Sequence, residues 1–253
     1  MRLIVSVAVA LALAVGGAAP AQAAEARPLE GAVIALDPGH QLGNSNPRFA
    51  AQMRQTRFNG TITKSCNTTG TATNAGLPEA TFNWRVAQQL KRLLEDQGAT
   101  VRLTRTTNTR SSWGPCVWDR GAFGSKAGAD LLVSIHADGA PSTGRGFHVI
   151  APSRIAGWTA DIAGPSRALA NAMIAGMRDA GATPTTYLSS PLSVRRDQST
   201  LNFSDVPAVI VELGNMRNRA DAARMSTSAG QQAYARELAA GISRYCAVQS
   251  RCR

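Results

Sequence analysis

Five short apolar runs punctuate the chain, at 32–37, 99–103, 129–135, 146–150 and 208–212, each bounded by Gly, Pro, Asp or Asn. Runs of this length, rich in Val, Ile and Leu, read as buried strands. Between them the spacing changes to three and four. From Pro78 onward, Phe82, Val86, Leu90, Leu93 and Leu94 fall on one side of a helix, and Gly98 supplies its stop. Further helices are expected at 115–127, 165–180 and 228–245. Strands alternating with helices predict an α/β domain with a mostly parallel sheet and helices on both faces. Residues 41–76 break the pattern with a long polar stretch that has no helical period. Within it, Thr56 to Thr63 carry the Asn59-Gly60 pair of a tight hairpin, expected to project from the strand-end face.

The amino terminus changes the picture of where the protein works. Arg2, an apolar stretch from Leu3 to Val15 and the small-x-small triplet Ala21-Gln22-Ala23 predict a cleaved export signal over 1–23, with the mature chain starting near Ala24. A membrane anchor is the competing reading, but the stretch is shorter than the ~20 residues that a span needs. Residues 24–253 suit one domain with a sizeable core. Basic residues outnumber acidic ones by 27 to 16, and 24 of them are arginine. That balance favours an anionic partner, and export puts a wall polymer or acidic lipid ahead of nucleic acid. Four cysteines in an exported chain suggest disulfides. Of the three connectivities, Cys66–Cys116 with Cys246–Cys252 is preferred. A cysteine zinc site is the weaker alternative, because no Cys-x-x-Cys spacing occurs.

Chemistry enters through scarcity. Of three histidines, His40 follows the first apolar run and His136 follows the third; of six glutamates, Glu212 ends the last run and Glu79 opens the helix after Pro78. In an open α/β sheet, ligands and reacting groups gather outside the carboxyl ends of strands, so these residues are expected to share one crevice. His40, Glu79 and His136 supply the His2Glu set of a catalytic zinc site, which leaves a fourth position for water. The helix N-terminus favours an ionised Glu79, and Asp37 is expected to orient the His40 imidazole. Glu212 then serves as general base and acid beside a zinc-bound water. His148 is the alternative third ligand, although its place inside a strand pattern also allows it to face solvent. Serine catalysis is disfavoured by the lack of a Gly-x-Ser-x-Gly turn. Unaided, these residues point to an exported zinc amide hydrolase.

With these stretches in view, the chain resembles the zinc-dependent N-acetylmuramoyl-L-alanine amidases of the Amidase_3 family. The resemblance is carried by Leu36-Asp37-Pro38-Gly39-His40, by Gly76-Leu77-Pro78-Glu79-Ala80 with Asn83, by Thr104-Arg105 and Arg120, by Ala129 to Asp138, and by Val206 to Asn215. It spans about residues 31–245. It implies a twisted, mainly parallel six-stranded sheet, Zn2+ on His40, Glu79 and His136, and Glu212 as acid/base. It also implies hydrolysis of the amide between N-acetylmuramic acid and L-alanine in peptidoglycan or muropeptides, in the periplasm or wall. Asp37, Asn215 and Arg105 are expected to support the ligands or touch substrate, and a monomer is expected.

Three features depart from the family pattern. Gln41-Leu42 replaces the usual Gly-Gly, the 41–76 stretch is long, and Asn215-Met216-Arg217-Asn218 follows the catalytic glutamate. They bear on substrate fit and access, and the hairpin insertion is the expected gate. A wall-binding protein without turnover, and a zinc peptidase or deacetylase acting on another wall bond, are the competing functions.

Overall fold

The apolar runs become strands because their alternate residues find cover on both faces of one sheet. The computed structural model describes Ile4, residues 27–249 and Cys252, so the expected export signal, Ile4 apart, lies outside the described residues. In chain order the elements are β1 (Val33–Pro38), two 3-10 turns (Leu42–Ser45 and Pro47–Phe49), α1 (Ala50–Met53), β2 (Thr56–Phe58), β3 (Thr63–Ser65), α2 (Glu79–Asp96) and β4 (Thr100–Leu103). They continue with α3 (Val117–Lys126), β5 (Leu131–Asp138), β6 (His148–Pro152), α4 (Ala163–Asp179), β7 (Leu192–Arg195), α5 (Ser199–Asn202), β8 (Ala208–Asn215), α6 (Arg219–Met225) and α7 (Ser228–Cys246). One six-stranded sheet runs in the order β4-β1-β5-β8-β6-β7, and β2 and β3 form a separate hairpin. All neighbours in the sheet are parallel except β6 and β8.

Period-two alternation divides the strands between two cores. Ile34, Leu36, Leu131, Val133, Ile135, Val209 and Val211 pack with Phe82, Leu90 and Leu94 of α2, Leu169 and Met173 of α4, and Leu238 and Ile242 of α7. On the other face, Ala35, Leu132, Ile150, Ala208 and Ile210 cluster with Ala129, Leu201 and Val206, and Val33 and Phe123 pack against them. That second layer is thin, and the cleft opens beside it. Among the described residues, no helix is long and apolar enough to cross a membrane.

Three features differ from the sequence expectation. The strand expected at 146–150 begins at His148 and runs antiparallel to β8. β5 and β8 continue past His136 and Glu212, so His136, expected just after its strand, lies within it, and Glu212 is not the last residue of β8. β7 was not anticipated, since its four half-exposed residues bury too little apolar surface to leave a pattern. Both preferred disulfides, Cys66–Cys116 and Cys246–Cys252, are present. The first ties the insertion to the start of α3, and closing a loop of 50 residues contributes about 4 kcal/mol in the chain-entropy model.

The turn after β1 is held by buried charge. Asp37, fully buried, accepts from Arg120 Nη1 at 2.5 Å and from the hydroxyls of Ser134 and Thr104, each at 2.6 Å. Burial opposes the charge of Asp37, but Arg120 and the two hydroxyls outweigh it and hold its pKa down to about 2. Because the folded pKa lies below that of the unfolded chain, about 4, the contribution is fully present above pH ~4. It amounts to roughly 2 kcal/mol and disappears as pH falls through the folded value. Arg120→Ala is expected to cost about 3–5 kcal/mol in urea denaturation at pH 7, since it strands a buried carboxylate. A loss below about 1 kcal/mol contradicts this role.

Candidate active site

Chain connections from β1 go first to β4 on one side and then to β5 on the other, so a crevice opens where the order reverses. His40 follows β1 at this point and His136 lies near the end of β5. His40 has φ 59°, the only positive φ among the described non-glycine residues, and such a conformation persists only when its surroundings enforce it. Two guanidinium groups do so. Arg120 donates to the carbonyls of Pro38 at 2.9 Å and His40 at 2.8 Å. Arg105 donates to Pro38 O at 2.8 Å and to Ala80 O at 2.9 Å, linking the turn to the first turn of α2. Arg105 thus braces the turn that carries His40 and is not among the residues lining the cleft.

Glu79 is the hub. Its Oε2 lies 3.1 Å from His40 Nε2, and its Oε1 lies 2.9 Å from His136 Nδ1. Thr71 N–H at 2.9 Å and Ala137 N–H at 3.2 Å also donate to it. Burial works against the Glu79 charge, yet the imidazoles hold its pKa well below the carboxylate range. Likewise burial would lower the His40 pKa, but Glu79 raises it. The pocket therefore favours a positive charge at His40 Nε2. Nδ1 of His40 faces the Thr68 carbonyl at 3.0 Å. A carbonyl can only accept, so Nδ1 carries hydrogen, and loss of the proton that Nε2 shares with Glu79 leaves the Nε2 lone pair free for a metal ion.

Ligand atoms of His40, Glu79 and His136 all lie within 4.8 Å of one another. A tetrahedral zinc with bonds of about 2.0–2.1 Å separates its donors by about 3.4 Å, so the three residues fit a single ion. Close packing is built in. A Cβ on Gly39 would stand 2.2 Å from the His136 ring, and one on Gly70 2.6 Å from Glu79 Oε2.

Glu212 stands directly across from His136 in the β5–β8 register and from His148 in the β6–β8 register. The three side chains share the thinly covered face of the sheet and line one cleft of about 320 Å³ with His40, Asp138 and Arg195. Burial first, then the negative fields of Glu79 and Asp138, raise the Glu212 pKa well above normal, with Arg195 opposing. Its buried Oε2 has no hydrogen-bond partner among the described residues. One carboxylate is thus held anionic while its neighbour is pushed toward protonation, the separation that acid/base chemistry uses.

Several expectations need correction. Asp37 does not orient His40; its oxygens are committed to Arg120, Ser134 and Thr104, and the Thr68 carbonyl takes that role. Asn215 is buried away from the cleft, where its amide donates to the carbonyls of Pro141 and Gly144 at 2.9 and 2.8 Å. His148 is 5% exposed and faces the cleft rather than solvent. The insertion also does more than project. Asn59 donates to Asp197 O and Ser199 Oγ, Asn202 donates to Asn59 O at 2.9 Å, and Thr61 donates to Arg196 O at 2.7 Å. Lys64, Ser65, Asn67 and Thr68 consequently form a wall of the cleft. Sequence spacing missed Thr68 and Thr71 because their contacts come from the backbone.

Fold and cluster define an α/β protein whose strand ends gather a His-Glu-His site able to hold a metal ion. Residues 34–244 match the family model described as N-acetylmuramoyl-L-alanine amidase, and the chain belongs to this Amidase_3 family. It is 36% identical over 254 residues to the N-acetylmuramoyl-L-alanine amidase Rv3717 of Mycobacterium tuberculosis, covering 99% of this chain and 100% of that protein. The crystal structure of the amidase Ami1 from Mycobacterium smegmatis superposes with a TM-score of 0.80 at 34% identity, covering 87% of this chain and 99% of that one. The apo form of Ami1 from Mycobacterium abscessus gives 0.78 at 36%, covering 85% and 99%.

Gly39→Ala is expected to displace the His136 ring and weaken zinc binding at least tenfold in calorimetric titration, as changes around a metal centre do. Unchanged affinity contradicts the packing described.

Proposed function

We propose that this chain is an exported zinc hydrolase that cleaves the amide joining the lactyl group of N-acetylmuramic acid to the L-alanine of a peptidoglycan stem peptide. The observation that carries the reading is the pair of glutamates with opposed environments: Glu79 held anionic between two imidazoles, and Glu212 raised one strand from His136. His40, Glu79 and His136 are the residues that would hold the metal. Zinc bound there supplies Lewis acidity, which acidifies a water and offsets charge developing on the carbonyl oxygen.

The remaining work falls to the chain's own groups. Glu212, poised by its environment to exchange a proton, takes one from the attacking water and returns it to the departing amine nitrogen. Arg195 and Lys64 line the same cleft, where both pair with Asp197. Family membership, the wall-amidase names of the relatives and the signal-like amino terminus support a mature enzyme of residues 24–253 acting in the periplasm or wall. The resemblance favours peptidoglycan or muropeptides as substrate.

A defined muramyl peptide digested with and without chelator tests this reading. Wild-type enzyme should release a new alanine amino terminus, chelator should stop it, and added zinc should restore it. Glu212→Ala should retain zinc while kcat falls at least about a thousandfold. Turnover in the presence of excess chelator, or by the variant, overturns the assignment.

A further inference from the structure

Asp138, Tyr187 and His148 form a hydrogen-bonded chain along the cleft that the steps above leave unused. Tyr187 Oη donates to Asp138 Oδ2 at 3.1 Å and lies 3.4 Å from His148 Nδ1. A phenol has one hydrogen. With that hydrogen on Asp138, the Tyr187 oxygen can only accept from the ring, so Nδ1 of His148 carries the proton and Nε2 keeps a lone pair. Burial lowers the His148 pKa, against Asp138 and together with Arg195, which favours the neutral ring. Burial and Asp138 raise the Tyr187 pKa, so its hydroxyl keeps its hydrogen. Among the hydrogen bonds of the described residues, none engages His148 Nε2.

The register completes the picture. His148 lies opposite Glu212 across the antiparallel β6–β8 pair, where facing Cβ atoms stand about 4.5–5.5 Å apart. A carboxyl group able to give a proton and an imidazole nitrogen able to accept a hydrogen bond therefore flank the same point in the cleft.

We propose that His148 contacts substrate through Nε2, accepting a hydrogen bond from the N–H of the scissile amide, and that Tyr187 is a positioning residue acting through it. This inference rests on the amidase reading above. The amide nitrogen is planar before attack and gains a localised lone pair as the carbonyl carbon becomes tetrahedral. Anchoring its N–H on His148 turns that lone pair toward Glu212, whose proton it takes as the C–N bond breaks. The leaving group departs as a neutral amine, and Glu212 is returned ionised.

Two substrates separate this from a structural role: a muramyl-L-alanine amide and the matching ester, with L-lactate in place of L-alanine and hence no N–H. His148→Ala should lower kcat on the amide about 10- to 100-fold with KM changed less than about threefold, and should change the ester less than about threefold. His148→Gln, which restores an acceptor, should recover most of the loss. In wild-type protein, nitrogen-15 NMR should show His148 as the Nδ1–H tautomer, and Tyr187→Phe should give a tautomer mixture with a smaller fall in amide kcat. Equal losses on amide and ester, or an Nε2–H tautomer in the wild type, overturn the proposal. A wild-type enzyme that cleaves neither compound overturns the amidase reading, while the NMR result still decides the tautomer.

Discussion

A single buried carboxylate placed between two imidazoles is the constraint on which this structure depends. Glu79 is 3% exposed, and a charge so removed from water persists only with partners on every side. His40 and His136 supply two of them, and the backbone N–H groups of Thr71 and Ala137 and the Asn83 amide supply three more. Much of the surrounding architecture follows. His40 meets Glu79 from a left-handed backbone, and the guanidinium groups of Arg105 and Arg120 hold that turn. Gly39 and Gly70 leave room that any side chain would occupy.

The sheet provides the second half of the site. Because strand neighbours in register project side by side, His136, Glu212 and His148 line up across β5, β8 and β6. The helical cover on this face is thin, so the row of polar groups meets a cleft rather than a core. Glu212 is near enough to Glu79 for the two charges to oppose each other, and among the described residues no donor steadies its Oε2. The same type of residue is therefore anionic in one position and easily protonated in the other, through environment alone.

Much of this was legible in the chain. Apolar runs marked five of the six sheet strands, and histidines and glutamates at their ends marked the crevice. Those signals survive translation into structure because strand burial and strand-end chemistry both depend on side-chain identity. What stayed hidden depends on backbone and on long-range pairing. The carbonyl of Thr68 can be supplied by any residue, so nothing at that position advertises a partner for His40. The antiparallel placement of β6, which turns His148 into the cleft, comes from pairing with β8 some sixty residues away. Asp37 lies in the expected region with a different partner, because the guanidinium that claims it lies on α3, 83 residues further along the chain.

The central claim is that Glu79 joins His40 and His136 in gripping a divalent cation. Zinc titration of metal-free wild-type protein and Glu79→Gln, with elemental analysis of each, tests it most directly. The account predicts one tightly bound zinc ion per wild-type chain and an affinity at least about a hundredfold lower in the variant, which keeps the shape of the side chain but not its charge. Equal zinc content and affinity in the two proteins would contradict it.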